Sequence, residues 1–302
     1  MLCSRRYLCS LLQIYKQFQS IPSSSSASVI SLRTMSDSVH DTAKTGFVDG
    51  DNYDRFRPTY TDEVVKLIAS IITGCQTDDE CSPKYDCVEL GAGTGKLTMK
   101  LIKELPKVKG YLATEPMDGF QEILRKNCPG IDTLVCSAEK MPVPSESVKA
   151  VVAAQCFHWF ANMTSLNEIN RILTPAGKLI MVWNNKDWKV PWVKDIEGIL
   201  TRYYGDTPRA VSYKWKEVIE KCTHFRCVRH EILPGTLLKG REQDVIGHFC
   251  SVSVIASLED DEKAKVRREM KTILDRHGLT AGNDDIAVPF HTELYVCEKI
   301  KK

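Results

Sequence analysis

Three glycines and two carboxylates stand where parallel strands are expected to end, and together they could bind a ligand. The stretch CVELGAGTGKLTMKL holds Gly91, Gly93 and Gly95 directly behind a short apolar run. Glycine permits tight turns and lets a ligand approach the backbone closely. Glu89 lies just before the first glycine, and Glu115 follows the next predicted strand. A carboxylate in the second position can accept both hydroxyls of a ribose, whereas Glu89 would attract an ammonium group and repel a phosphate.

A ligand that combines a ribose and an amine with no phosphate is S-adenosylmethionine. The loop has Ala92 between its first two glycines. It lacks the third glycine of a nicotinamide fingerprint, where Lys96 stands, and it contains no phosphate P-loop. A helix predicted to begin at Gly95 offers N–H groups and a positive dipole end to the carboxylate of the ligand. Two alternatives remain open: an NAD(P)-binding oxidoreductase, and a cofactor-binding regulatory subunit without activity.

Regular secondary structure around this loop is predicted from hydrophobic periodicity and from Gly and Pro punctuation. Strands are expected at 85–90, 109–114, 131–136, 148–155, 178–183, 225–233 and 287–298. Helices are expected at 61–72, 95–105, 117–127, 162–173, 191–204, 215–222, 243–256 and 260–277. The order predicts an α/β fold, a Rossmann-like, doubly wound sheet of seven strands with a helical insertion near the C-terminus. In such a sheet the ligand lies beyond the carboxyl ends of the strands, where the glycine loop is placed.

The motifs of residues 53–179 resemble those of class I S-adenosylmethionine-dependent methyltransferases with a type 11 domain. VELGAGTGKLT is similar to the first motif of that family. ATEPMDGF is similar to the second, and the resemblance implies that Glu115 holds the ribose and that Met117 packs on the adenine. The third motif usually carries an Asp that binds the adenine amino group. This chain has Ser137 there, which leaves that contact open between Ser137, the backbone at Ala138, and Glu139.

Two further stretches, AAQCFHWF and YDRFRPTY, resemble a branch that includes yeast trans-aconitate and cantharidin-type small-molecule methyltransferases. The resemblance implies a small-molecule acceptor and favours O-methylation of a carboxylic acid. Gln155 is a candidate for contact with the methionine part of the cofactor. His158 is the candidate catalytic residue, either as a base or as a donor that orients the acceptor, or else it belongs to a structural aromatic corner. Tyr53, Arg57 and Trp159 are candidates for acceptor binding, because arginine suits a carboxylate.

The organisation predicted from composition is a leader followed by one catalytic domain. Residues 1–40 are basic and Ser-rich with almost no acidic side chains, which is typical of a mitochondrial transit peptide. The alternative is a disordered extension or cytoplasmic protein initiated at Met35. Residues 41–302 form the methyltransferase domain, with a cofactor-binding core at 53–184 and substrate-capping helices at about 186–222 and 240–280.

Charge and cysteine usage limit the partners. The chain has 302 residues, and its 41 basic and 39 acidic side chains give a net charge of +2 with no basic stripe for a nucleic acid. No apolar run reaches the ~20 residues that would span a membrane. The 12 cysteines lack zinc-site spacing, so no metal is expected and reduced thiols are favoured. The sequence leaves the oligomeric state open.

Overall fold

One mixed sheet of seven strands organises the chain. The computed structural model describes residues 56–75, 83–105, 107–279 and 285–300. The strands are β1 (Tyr85–Leu90), β2 (Tyr111–Thr114), β3 (Asp132–Leu134), β4 (Val148–Ala154), β5 (Leu173–Lys186), β6 (Phe225–Gly240) and β7 (Ile286–Lys299). Their order is β3–β2–β1–β4–β5–β7–β6. Strands β1 to β5 pair in parallel, and β7 is antiparallel to both β5 and β6. This confirms the predicted Rossmann-like α/β fold.

The helices flank this sheet and continue beyond it. They are α1 (Asp62–Thr73), α2 (Thr98–Glu104), α3 (Asp118–Asn127), α4 (Met163–Ile172), α5 (Pro191–Thr201), α6 (Lys214–Lys221), α7 (Glu242–Cys250), α8 (Ser253–Ala256) and α9 (Asp260–Arg276). Helix α1 shows how sequence sets these bounds. The Thr61 hydroxyl caps it by accepting from Val64 N at 3.4 Å. Its stripe at Val64, Ile68 and Ile72 is fully buried.

Several boundaries differ from the prediction, each for a local reason. The helix after the glycine loop begins at Thr98 instead of Gly95, because Gly95 has φ +89°, a left-handed conformation that an α-helix cannot contain. The single helix predicted at 243–256 is divided into α7 and α8, since Val252 is extended. Strand β6 is longer than predicted because β7 pairs along nearly its whole length. Strand β5 is longer at its end because β7 also pairs with residues 184–186, and longer at its start, where Leu173 pairs with Val148 of β4.

Three hydrophobic cores hold these elements together. Alternate residues of β4 point to opposite faces, so that Val151 belongs to one core and Val152 to the other. The third core lies between α5, α7, α9 and the start of β7, and it includes Trp192, Phe249 and Met270. The segment after β5 therefore builds a helical cap with its own apolar interior next to the carboxyl ends of the strands.

Some predictions fall on residues outside the described ranges. The leader at 1–40 and Tyr53 are among them, and they stay predictions. Within the described residues, none of the helices combines the length and the apolar character that a membrane crossing requires.

Candidate functional site

A cleft opens at the carboxyl ends of β1, β4 and β5, between the sheet and the helical cap. It encloses about 1270 Å³ of empty space, part of which is open to solvent. The predicted residues that line it are Arg57, Glu89, Gly91, Ala92, Gly93, Gln155, His158 and Trp159. Gly95, Glu115, Met117 and residues 137–139 are not part of its lining. The parallel half of the sheet thus brings the first-motif residues and the β4 residues to one site.

The three glycines of the loop all have left-handed backbone conformations, but the space around them differs. A Cβ on Gly91 would lie 2.9 Å from Cys156 Cβ, and one on Gly95 would lie 2.8 Å from Cys128 Sγ. A Cβ on Gly93 would meet nothing within 4 Å. Gly91 and Gly95 therefore permit close packing, whereas Gly93 leaves open space on the cleft side, as a ligand against the backbone would require.

Glu89 is almost fully buried at the end of β1. Its Oε2 accepts hydrogen bonds from the Thr98 hydroxyl at 2.7 Å and the Tyr111 hydroxyl at 2.6 Å. Burial raises the pKa of this carboxyl to about 7, and the two hydroxyls oppose the rise. Oε1 accepts no hydrogen bond within the described part of the chain. The residue is thus anchored through one oxygen and keeps the other for the cleft.

Glu115 lies behind the loop and is also buried. Its Oε2 accepts from Gly93 N at 2.9 Å and its Oε1 from Met117 N at 3.0 Å. Burial raises the pKa of Glu115 to about 7 against these two backbone bonds. Because each carboxylate oxygen has two lone pairs, both can still accept from a pair of hydroxyls. Met117 is the N-cap residue of α3, and its side chain is half-buried.

The segment that departs from the third motif forms a tight turn. Ser137 makes an isolated bridge with Lys140, and the Ala138 side chain packs in the core. Glu139 Oε1 accepts from Asn162 Nδ2 at 3.3 Å. The structure therefore gives the Glu139 side chain a partner within the protein, and the identity of the adenine contact stays a prediction.

Gln155 directly follows β4 and has a strained conformation. Its φ is +62°, which is uncommon for a residue other than glycine. The backbone is held there by a hydrogen bond from Gln155 N to Val182 O at 2.8 Å, and Nε2 donates to Asn184 O at 3.3 Å. Strained backbone of this kind is often found at functional sites.

Within the described residues, one side-chain hydrogen bond defines the orientation of His158. Trp183 Nε1 donates to His158 Nδ1 at 3.1 Å. Because an indole nitrogen only donates, Nδ1 is the unprotonated nitrogen and the neutral ring carries its hydrogen on Nε2. Burial lowers the pKa of His158 to about 3, so the ring is neutral at pH 7. His158 therefore suits a hydrogen-bond donor better than a base.

Arg57, Trp159 and three further tryptophans divide between the cleft and the cores. Arg57 Nη2 donates to Ser251 O at 2.7 Å, which ties the segment before α1 to the cap. Trp159 and the partly exposed Trp188 line the cleft. Trp183 and Trp192 are buried in separate cores.

Sequence reasoning missed several cleft residues that come from the end of β5 and from the cap: Lys186, Glu197, Tyr204, Arg209 and His248. Lys186 Nζ lies 3.9 Å from Glu197 Oε2, and Tyr204 donates to Glu197 Oε1 at 3.0 Å. His248 Nδ1 donates to Phe56 O at 2.7 Å. The only sequence signal was the position of Lys186 after a predicted strand, since the others have no motif.

The electrostatics of the cleft favour an anion. Burial lowers the pKa of Lys186, Glu197 opposes this change, and Arg57 adds to it. Burial also lowers the pKa of His248 well below its usual range, with Lys186 and Arg57 contributing. Two cations and a neutral imidazole therefore lie near enough in this cleft to affect one another's pKa values. Among the described lining residues, four are Lys or Arg (Arg57, Lys96, Lys186, Arg209) and two are acidic (Glu89, Glu197).

Metal ions are bound in proteins by clusters of side chains. Across the described ranges, no group of three or more His, Cys, Asp or Glu side chains is placed to hold a metal ion.

The sheet order, the glycine loop after β1 and the acid after β2 define a class I methyltransferase fold. A solved structure from Anaeromyxobacter dehalogenans, assigned as a type II methyltransferase, has the same fold with a TM-score of 0.55 and 16% identity. The alignment covers 82% of this chain and 98% of that one.

Sequence comparisons extend this from fold to family. The sequence pattern described as "Methyltransferase domain" matches residues 88–181. An uncharacterised methyltransferase-like protein of Schizosaccharomyces pombe is 35% identical over 258 residues, which cover 85% of this chain and 96% of that protein. A second protein of that yeast, an uncharacterised methyltransferase, is 31% identical over 86% of this chain and 97% of its own length. The chain belongs to this methyltransferase family, and S-adenosylmethionine dependence is implied by the family.

Proposed function

We propose that this methyltransferase transfers a methyl group from S-adenosylmethionine to the carboxylate of a small organic acid. The observation that carries the proposal is the pair of neighbouring cations, Lys186 and Arg57, in the same cleft as the glycine loop and His158. The resemblance of AAQCFHWF and YDRFRPTY to the trans-aconitate and cantharidin-type branch supports the same acceptor class.

The residues around the loop fit S-adenosylmethionine. The space beside Gly93, which a Cβ would fill, accommodates a ligand against the backbone. Glu115 has lone pairs for the two ribose hydroxyls, and Glu89 Oε1 is available to an ammonium group. When bound, the cofactor supplies an electrophilic methyl group on a sulfonium.

The acceptor site is built for negative charge. The Lys186 side chain is only 14% exposed, and its acidic neighbour within the described residues, Glu197, lies 3.9 Å away, too far for a hydrogen bond. Glu197 also accepts from Tyr204, so its charge is shared between Lys186 and a hydroxyl. An anionic acceptor would add an ion pair to Lys186 in a partly dry site, where ion pairs are stronger than in water.

His158 would orient the reacting oxygen. Its Nε2–H is the only hydrogen that the ring can donate, because Nδ1 is used by Trp183. A carboxylate arrives ionised, so the transfer needs alignment and exclusion of water more than proton removal. Trp159 and Trp188 supply apolar walls for this purpose.

The test is an assay of S-adenosylhomocysteine release with a panel of small carboxylic acids, followed by detection of the methyl ester. Matched phenols, amines and thiols form the second arm of the panel. Lys186→Met should raise KM for the acids about 10- to 150-fold, the value of a lost charge-assisted hydrogen bond. It should leave cofactor affinity unchanged.

Lys189→Met is the matched control, because Lys189 is exposed and lies outside the cleft lining. Turnover of a phenol, amine or thiol with none of any acid would overturn the carboxylate assignment. A protein that binds S-adenosylmethionine but methylates nothing in either arm would favour the regulatory-subunit alternative.

A further inference from the structure

A group of three cysteines lies where β6 pairs with β7, away from the cleft. Cys227 of β6 is directly opposite Cys297 of β7 in the antiparallel register. Cys227 is exposed, whereas Cys297 is completely buried. Cys222, just after α6, is buried in the same core as Cys297. An exposed thiol and a buried thiol therefore occupy opposed positions on paired strands.

The pairing places the two thiols at disulfide distance. Opposed residues of antiparallel strands have Cα atoms about 4.5–5.5 Å apart and side chains on the same face. A disulfide needs Cα atoms about 4.4–6.8 Å apart, so the sheet already meets this condition. Each of the two thiols shifts the pKa of the other, which places them close together, and Cys227 Sγ also donates to Arg229 O at 3.5 Å.

The surroundings favour the thiolate on the exposed cysteine. The neighbouring Cys297 thiol lowers the pKa of Cys227 to about 6, and a backbone hydrogen bond at Arg229 and the Lys216 ammonium act in the same direction against partial burial. The Cys227 thiol, together with burial, raises the pKa of Cys297. One thiol is therefore activated and exposed, and its neighbour is held protonated beside it, which is the arrangement of an attacking and a resolving cysteine.

We propose that Cys227 and Cys297 form a reversible cross-strand disulfide when the protein meets a peroxide. The Cys227 thiolate attacks one peroxide oxygen, the O–O bond breaks, and water leaves after protonation. The sulfur of Cys297 then attacks the sulfenic sulfur of Cys227 and gives up its proton. The S–O bond breaks and a second water is released. Two thiols lose two electrons and two protons, and hydrogen peroxide is reduced to two waters.

Aromatic side chains connect the position of the new bond with two tryptophans. Tyr295 lies two residues before Cys297 on the same strand, and its ring packs at 5.0 Å against Trp215. Trp215 stacks on Trp183 at 4.5 Å. Because indole emission depends on its surroundings, closing the disulfide should change the intrinsic tryptophan fluorescence.

The experiment treats the full chain with equimolar hydrogen peroxide, blocks the remaining thiols with N-ethylmaleimide and maps the peptides without reduction. We expect a linked pair of peptides containing Cys227 and Cys297, removed by dithiothreitol together with the fluorescence change. Cys297→Ser should leave a sulfenic acid on Cys227 that dimedone traps. Cys227→Ser, an exposed substitution that keeps the fold, should abolish both products.

Cys250→Ser is the control, since Cys250 is a partly buried cysteine of α7 in the cap and it should leave the linked pair unchanged. The proposal is overturned if Cys136 or Cys250 is oxidised before Cys227. It is also overturned if Cys227 links to Cys222, or if no linked pair forms in folded wild-type protein.

Discussion

Replacement of Gly93 by alanine tests the proposed ligand position most directly, because the chain provides a control with the same backbone strain. Gly93 has φ +59° and Gly130 has φ +85°, and a Cβ on either would meet nothing within 4 Å. Gly93 faces the cleft, whereas Gly130 is an exposed turn residue after α3. The two alanine variants therefore share the cost of a left-handed alanine and differ in what the methyl group occupies.

The magnitudes can be worked out separately. A left-handed alanine costs about 1–2 kcal/mol, so each variant should lose a few degrees of Tm in the absence of ligand. A methyl group forced into the space of a bound ligand costs about 1–3 kcal/mol. Gly93→Ala should therefore bind S-adenosylmethionine roughly 5- to 150-fold more weakly, and Gly130→Ala should bind like the wild type.

Calorimetric titration gives the affinities, and a thermal melt without ligand gives the two stability losses. Equal affinities for the two folded variants would refute the assignment of the open space at Gly93 to the cofactor. Equal losses of Tm with a weaker affinity in Gly93→Ala alone would support the assignment. Backbone strain would then explain the loss of stability in both variants but not the loss of cofactor affinity in one.

Further predictions concern the carboxylate behind the loop, the histidine and the leader. Glu115→Ala should weaken S-adenosylmethionine binding by about 1.5–3 kcal/mol, measured by calorimetry, and an unchanged affinity would assign the ribose to another residue. Burial raises the pKa of Glu115 to about 7, so between pH 4.5 and 7 the folded state holds a proton that the unfolded chain has lost. The free energy of unfolding without ligand should therefore fall as the pH rises from 4.5 to 7. The affinity for the cofactor should rise over the same range. His158→Ala should reduce turnover only about tenfold, and the wild-type pH–rate profile should have no limb near pH 6.5. His158→Gln should recover part of the rate, because glutamine keeps a hydrogen-bond donor. A loss of 10²-fold or more, with a wild-type limb near pH 6.5 that disappears in the variant, would show that His158 acts as a base. A fusion of residues 1–34 to a fluorescent reporter should enter mitochondria, and a diffuse signal would favour initiation at Met35.

The part of the cleft around the glycine loop could be anticipated because its residues are local in sequence. Glu89 lies at the end of β1, Gly91 and Gly93 follow in the connection to α2, and the alternation of elements determines where that connection lies in the fold. Glu115 follows from the same logic one strand later. What failed locally was the start of α2, since spacing does not reveal that the Gly95 backbone is left-handed.

The part of the cleft that we propose for the acceptor could not be anticipated, because its residues are assembled by tertiary packing. Lys186 comes from β5, Glu197 from α5 and His248 from α7, and each is unremarkable in its own segment. They meet only because the cap folds back over the carboxyl ends of the strands. Likewise, the indole hydrogen bond that sets the His158 tautomer depends on the pairing of β4 with β5, which brings Trp183 beside it.

The position of β7 between β5 and β6 has a consequence for biosynthesis. Strand β6 pairs only with β7 in the described sheet, and β7 is made after the whole segment 241–285. At about 5–20 residues per second, the 45 residues of 241–285 delay the partner of β6 by roughly 2–9 s, and the 99 residues of 187–285 delay the partner of β5 by roughly 5–20 s. During that time the nascent chain exposes two unpaired strand edges, one of them apolar, which are sites for wrong pairing with other chains. Slow translation or a ribosome pause within 241–285 should therefore lower the yield of folded protein, even though it changes none of its residues.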